Sequence, residues 1–121
     1  MHYTNGSGID TVVETPEFLR RVEKLLDDEE REALIGFLAA NPTAGDLIPG
    51  TGGVRKLRWG LEGRGKRGGA RAIHFFHSAR LPLFLLTAFA KNEQANVSRA
   101  EQNSFRALTK LLVETYGGRR R

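Results

Sequence analysis

Two stretches in the N-terminal half of the chain carry apolar residues at helical spacing. The first follows Thr15-Pro16, which is typical of an N-cap and a first helical residue. Its apolar stripe consists of Phe18, Val22, Leu25 and Leu26. The second begins at the capping pair Asp27 and Glu30 and ends at Asn41-Pro42, because the residue before a proline avoids the helical region. Two helices so close in sequence predict an α-hairpin.

Apolar and polar residues alternate in the middle of the chain, which predicts strands. Three strands are predicted at residues 54–61, 69–77 and 83–90, and a β-branched run at residues 11–13 predicts another before the hairpin. The loops between the three consecutive strands are short. We therefore expect antiparallel neighbours, because parallel strands require long crossovers.

The same alternation assigns side chains to the two faces of the sheet. Lys56 and Arg58 are predicted on one face, and Arg55 and Trp59 on the other, where Trp59 joins neighbouring leucines in the core. In the next strand, Arg71 and His74 are predicted on opposite faces.

A last amphipathic stretch begins at Ser98, which forms a capping box with Glu101, and ends at Gly117-Gly118. The predicted order is therefore β-α-α-β-β-β-α. This order indicates an α/β (α+β) fold with a small antiparallel sheet, an N-terminal α-hairpin and a C-terminal helix. We expect residues 1–10 to be flexible, residues 11–116 to form one domain, and residues 117–121 to form a basic flexible tail.

The composition limits the possible classes of protein. The 121 residues suffice for one domain, and the chain has no cysteine, which excludes disulfides and cysteine-based metal sites. The longest apolar run, residues 81–90, is far shorter than the ~20 residues that cross a bilayer. No signal peptide is visible at the N-terminus. We expect a cytoplasmic protein with no membrane partner, no metal and no cofactor.

Positive charge is concentrated in one segment. Between Arg55 and Arg71 the net charge is +6, residues 119–121 add +3, and the rest of the chain is net −4. A mildly acidic protein with one basic centre is typical of a protein that binds a polyanion, most often nucleic acid. The alternative is a solvated cationic surface.

The sequence GRGKRGGAR, residues 63–71, lies within this segment and matches the pattern G-x-G-x-x-G. A dinucleotide-binding loop of that pattern leads from a strand into a helix, whereas this one joins two predicted strands. We therefore interpret it as the turn of a cationic hairpin, in which glycines let a ligand backbone approach closely.

Three motifs in order resemble one known family: NPTAGDLIPGTGGVRKLRW, then GRGKRGGARAIHFF, then FLLTAFAKNE. They are similar to the RelE/HigB toxins of bacterial type II toxin–antitoxin systems, within the RelE/ParE superfamily and closest to the HigB-like branch. The resemblance covers about residues 11–116. It implies a RelE-like fold and a ribosome-dependent mRNA endonuclease (mRNA interferase) that enters the ribosomal A site and inhibits translation. It also implies a cognate helix-turn-helix, HigA-like antitoxin.

A metal-independent ribonuclease can use the 2′-hydroxyl of its substrate as the nucleophile, with cations stabilising the charge on phosphorus. Arg71 is the predicted phosphate clamp, because a cation at the start of a strand is costly unless an anion approaches it. Its alternative is a structural ion pair with Glu93 or another acid. Lys56 and Arg58 share a face and are predicted to contact the RNA, one of them as a base; the alternative is an exposed face.

Arg55, Arg64, Lys66 and Arg67 are predicted to bind RNA phosphates. The resemblance adds Lys91 at the rim of the active site, or, alternatively, in a surface triplet with its two neighbours. Phe89 stands where relatives often have a tyrosine, so it can stack but cannot transfer a proton. His74 is predicted to transfer the proton instead, and its alternative is a buried, hydrogen-bonded histidine.

Two other functions compete with the ribonuclease. Related ParE-like toxins poison DNA gyrase with the same fold, although they lack the dense basic hairpin. A non-catalytic relative could bind nucleic acid without cutting it.

Overall fold

The computed structural model describes residues 2–5, 11–60, 69–94 and 96–117, which form one six-stranded sheet with helices on both faces. The strands are β1 (His2–Asn5), β2 (Thr11–Glu14), β3 (Asp46–Leu47), β4 (Val54–Trp59), β5 (Ala70–Phe75) and β6 (Leu83–Ala90). The helices are α1 (Pro16–Val22), α2 (Asp28–Ala40) and α3 (Arg99–Leu112), and α3 continues into a π-helical turn at Val113–Gly117. None of the helices in these ranges is long and apolar enough to span a membrane.

The order of strands across the sheet is β1-β2-β6-β5-β4-β3. This confirms the predicted α/β fold class and the antiparallel run β4-β5-β6, with one correction: β2 pairs with β6 in parallel, so the sheet is mixed. A parallel pair needs a long connection, and here the hairpin α1–α2 and three strands provide it. The structure also adds the edge strands β1 and β3, whereas the flexibility predicted for residues 1–10 stays a prediction.

The predicted helix caps form as the sequence indicates. Thr15 Oγ1 accepts a hydrogen bond from the Phe18 backbone N–H at 3.3 Å. Asp27 and Glu30 form a reciprocal capping box, as do Ser98 and Glu101 at the start of α3. These caps satisfy backbone donors that have no partner within the helix.

Apolar side chains form one cluster on each face of the sheet. The cluster below α1 and α2 includes Val12, Phe18, Leu34, Leu38, Leu83 and Leu85. The cluster below α3 includes Val13, Ile73, Phe75, Phe84, Leu86 and Leu112. Every residue of β5 and β6 is buried, because both faces of these central strands are covered. A charged side chain on β5 is therefore unusual, because charged residues are rarely buried without a partner.

The loop before β4 is attached to α3. Thr109 Oγ1 donates to the backbone carbonyl of Thr51 at 2.9 Å, and the Val54 N–H donates to Thr51 Oγ1 at 3.1 Å. Gly52 and Gly53 have positive φ angles of 81° and 116°, which favour glycine. This attachment fixes the point at which β4 enters the sheet.

Candidate nucleic-acid interface

The predicted catalytic cations of β4 and β5 lie on one face of the sheet. Arg58 on β4 is the Cα partner of Arg71 on β5, and Arg71 is in turn the partner of Phe89 on β6. Directly opposed residues of neighbouring strands project to the same side, and Lys56 is two positions from Arg58 on the same strand. We call Lys56, Arg58 and Arg71 the basic face.

Arg71 is the buried member of the basic face, with 4% of its surface exposed. Burial lowers the pKa of its guanidinium, and the positive charge of Arg58 lowers this pKa further. Its Nη1 donates a long hydrogen bond of 3.4 Å to the backbone carbonyl of Ala70. An arginine stays charged despite such a shift, so Arg71 contributes a positive charge to the basic face.

One form of the alternative role for Arg71, an ion pair with Glu93, is absent among the described residues, whereas a pair with another acid stays a prediction. The ion pairs found within the described ranges join Arg31 to Glu14 and two arginines of α1 to Glu17.

Lys56 and Arg58 are the accessible members of the basic face. Arg58 is exposed, and Lys56 is half-buried. The Lys56 ammonium donates to Asn96 Oδ1 at 3.1 Å, in the segment that leads into α3. Sequence reasoning missed Asn96, because an amide 40 residues from its partner belongs to no local pattern.

Arg55 and His74 are Cα partners on the opposite face, away from Arg71. Arg55 Nη1 donates to the Gly45 carbonyl at 3.0 Å. His74 is fully buried, and its Nε2 makes a 2.9 Å hydrogen bond to the Ala44 carbonyl oxygen. Burial lowers the pKa of His74 to about 4; the bond to Ala44 opposes this shift and the charge of Arg55 adds to it. This geometry matches the alternative predicted for His74, a buried and hydrogen-bonded histidine, rather than a residue that transfers a proton to RNA.

Phe89 lies on the same face of the sheet as Arg71, but its ring is not accessible for stacking with an RNA base. Only 1% of its surface is exposed, and it belongs to the apolar cluster below α3. Because it is the Cα partner of Arg71, Phe89 lies beside Arg71 on the same face of the sheet. A base could stack on Phe89 only after the surrounding side chains moved.

Lys91 follows β6 at the end of the sheet that carries Arg71 and Arg58. Its side chain is exposed, and its backbone N–H donates to the Gly69 carbonyl at 3.2 Å. The predicted phosphate-binding residues Arg64, Lys66 and Arg67 lie outside the described residues. Within the residues that are described, no group of three or more His, Asp or Glu side chains is placed to hold a metal ion.

A small sheet that carries basic residues on one face is a feature that the family resemblance implies. A model of the family described as "RelE toxin of RelE / RelB toxin-antitoxin system" matches residues 14–117. The match includes α1, α2, β3 to β6 and α3, and with them every residue of the basic face. The chain therefore belongs to the RelE toxin family and is a RelE-type toxin of a toxin–antitoxin system.

Proposed function

We propose that this toxin is a ribosome-dependent mRNA endonuclease that inhibits translation. One observation carries the proposal: Arg71, Arg58 and Lys56 come from two adjacent strands and lie on one face of the sheet. Three cations in such a cluster suit the phosphates of a single RNA strand, and arginine binds two phosphate oxygens at once. Family membership supports the same function.

In the proposed reaction, the 2′-oxygen of one ribose attacks the adjacent phosphorus atom and the bond from phosphorus to the 5′-oxygen breaks. The products are a 2′,3′-cyclic phosphate and a 5′-hydroxyl end. One proton leaves the 2′-hydroxyl and one is taken up by the 5′-oxygen, both exchanged with solvent. Negative charge builds up on the phosphoryl oxygens in the transition state, and fixed cations stabilise this charge without having to reorganise.

We assign the transition-state contact to Arg71, which pairs with the exposed Arg58 on the basic face. Because only 4% of the Arg71 surface is exposed, this contact requires the groups that cover Arg71 to move, as stacking on Phe89 would. Arg58 and Lys56 bind the RNA backbone on either side of the scissile phosphate, and Lys91 lies at the rim of the site. We do not assign proton transfer to His74 or RNA contacts to Arg55, because both lie on the other face of the sheet. Phe89 is assigned a packing role beside Arg71, as its burial indicates.

As a RelE-type toxin, the protein has a cognate antitoxin as its partner. The finer features remain part of the proposal: a helix-turn-helix, HigA-like antitoxin, membership of the HigB-like branch, action in the ribosomal A site, and a cytoplasmic location. All of them except the cytoplasmic location rest on the three sequence motifs quoted above.

Cleavage mapping tests the function and the principal residue together. Purified toxin is added to ribosomes translating a defined message, and 5′ ends are mapped by primer extension. We expect codon-phased cuts with the wild type and a rate at least about 100-fold lower with Arg71→Ala, the cost typical of a lost transition-state donor.

The matched control is Arg55→Ala, which removes the same charge from the opposite face of β4. It is expected to cut at nearly the wild-type rate. Equal cutting by wild type and Arg71→Ala would refute the assignment. Intact messages together with a DNA-damage response in cells would indicate a gyrase poison instead.

A further inference from the structure

A cavity adjoins the basic face, between the edge strand β3 and the segment that begins α3. Its volume is about 420 Å³, and Lys56 forms part of its wall. Pockets for small organic groups typically have volumes of roughly 300–1,000 Å³, with mostly apolar walls and a few polar groups. The cavity is in that range, and it shares a residue with the surface to which we assign the RNA backbone.

One wall of the cavity is apolar and open to solvent. Leu47, Ile48 and Pro49 form this wall, with the carboxylate of Asp46 beside them, and 58% of the Leu47 surface is exposed. An exposed large apolar side chain is informative when it borders a concave site, because burial against a flat apolar group would stabilise it. The faces of a nucleobase are flat and apolar.

The other wall carries two carboxamides, Asn96 and Gln102. Asn96 Oδ1 accepts the hydrogen bond from Lys56, which leaves its amide nitrogen available as a donor. The half-buried Gln102 amide has no hydrogen-bond partner among the residues that the structure describes. A carboxamide offers a donor and an acceptor side by side, the pattern that complements the edge of a base.

We propose that this cavity binds one unpaired nucleobase of the RNA strand held on the basic face, and that Gln102 and Asn96 discriminate between bases there. The inference rests on the proposed function and deepens it. Sequence-specific RNA recognition generally targets unpaired bases through stacking and hydrogen bonds to their edges, and this cavity offers a surface for each contact. Lys56 connects the two sites, because it lies on the basic face and also holds Asn96.

Base preference can be measured without cleavage. The probes are hexanucleotides of A, C or U with 2′-O-methyl groups, which cannot act as nucleophiles, and binding is followed by fluorescence anisotropy. The wild type is expected to prefer one of the three. Gln102→Ala and Asn96→Ala are each expected to reduce that preference about three- to tenfold, the effect of one lost hydrogen bond.

Asn103→Ala is the matched control, because Asn103 is the next residue of α3, is exposed and lies outside the cavity. It is expected to retain the wild-type preference. Gln102→Glu keeps the shape but replaces the donor with an acceptor and adds a negative charge, so it is expected to weaken binding and to change the base preference.

The proposal is overturned if the wild type binds all three oligonucleotides equally, or if both alanine variants keep the wild-type preference. It is also overturned if side-chain amide NMR signals of Gln102 and Asn96 move on binding the antitoxin but not on binding millimolar RNA. Failure of the proposed function is a separate result: an uncut message on ribosomes, whatever the base preference of the inert oligonucleotides.

Discussion

Glu14 on β2 accepts two hydrogen bonds from Arg31 on α2, from Nε at 2.7 Å and from Nη2 at 2.9 Å. The carboxylate is fully buried, so the guanidinium supplies the donors that water cannot. This pair attaches the second helix of the hairpin to the strand that pairs with β6. It stabilises the scaffold on the face opposite the proposed RNA surface.

Replacing Arg31 with Ala leaves the Glu14 charge buried without its partner. We expect the free energy of unfolding to fall by about 3–5 kcal/mol, as for other broken buried pairs. The control is Arg20→Ala, which breaks an exposed ion pair with Glu17 and is expected to cost no more than about 1 kcal/mol. Urea denaturation measures both, and equal losses would contradict the structural role of the buried pair.

Gly69 has a φ angle of 62°, and a Cβ atom built on it would lie 2.6 Å from the carbonyl oxygen of Trp59. Gly69→Ala is therefore expected to destabilise the protein by at least about 1–3 kcal/mol. Gly36, in the middle of α2, has open space where a Cβ would lie. Gly36→Ala is expected to stabilise the helix by about 0.5–1 kcal/mol. Thermal unfolding should therefore show shifts of opposite sign, and a stable Gly69→Ala variant would contradict the described backbone.

The buried His74 predicts a stability that depends on pH. Its pKa is lowered from 6.5 to about 4 in the folded state, so the unfolded chain binds a proton first as the pH falls. At pH above 6.5 both states are neutral and His74 contributes no slope. Between pH 6.5 and 4 the free energy of unfolding falls, by up to about 3 kcal/mol in total, and below pH 4 this loss levels off.

Comparing variants isolates this contribution from the titration of carboxylates. His74→Gln removes the titrating group while keeping an amide that can donate to Ala44, so its stability is expected to depend less on pH in that window. His77→Gln changes an exposed histidine and is expected to follow the wild type. Parallel pH curves for the wild type and His74→Gln would show that His74 does not titrate as its burial requires.

The basic face predicts a particular salt dependence of RNA binding. Binding to single strands weakens with salt by a slope of about 0.7 per phosphate contact on a logarithmic scale. Arg58→Ala is expected to reduce the slope for the inert oligonucleotides by about that amount. Arg55→Ala is expected to change it little, because Arg55 donates to the Gly45 carbonyl on the other face. Equal changes in slope would mean that both faces of β4 contact RNA.

Much of this architecture follows from local sequence patterns. Capping pairs located the helices, and period-two alternation separated Lys56 and Arg58 from Arg55 correctly. The same alternation placed His74 and Arg71 on opposite faces of the sheet, although both side chains were candidates for the same catalytic site. Local patterns describe which face a residue occupies; they contain no information about what covers that face.

The features that escaped prediction depend on contacts between distant segments. The burial of Phe89 depends on the packing of α3, and the parallel pairing of β2 depends on β6. The cavity beside Lys56 combines β3 with residues of α3, and each contribution is too short or too polar to form a recognisable motif. Such sites become visible only when the strands are assembled.

The parallel pair of β2 and β6 has a consequence for synthesis on the ribosome. The Thr15 hydroxyl, just beyond β2, donates to the carbonyl of Leu85, 70 residues later in the chain. Until that late segment has emerged, the N-terminal strand and its helices have no central strand to dock against, and closing so long a loop slows assembly. The sheet therefore cannot be completed before β6 has been synthesised, because β6 is the central strand that joins β2 to β5.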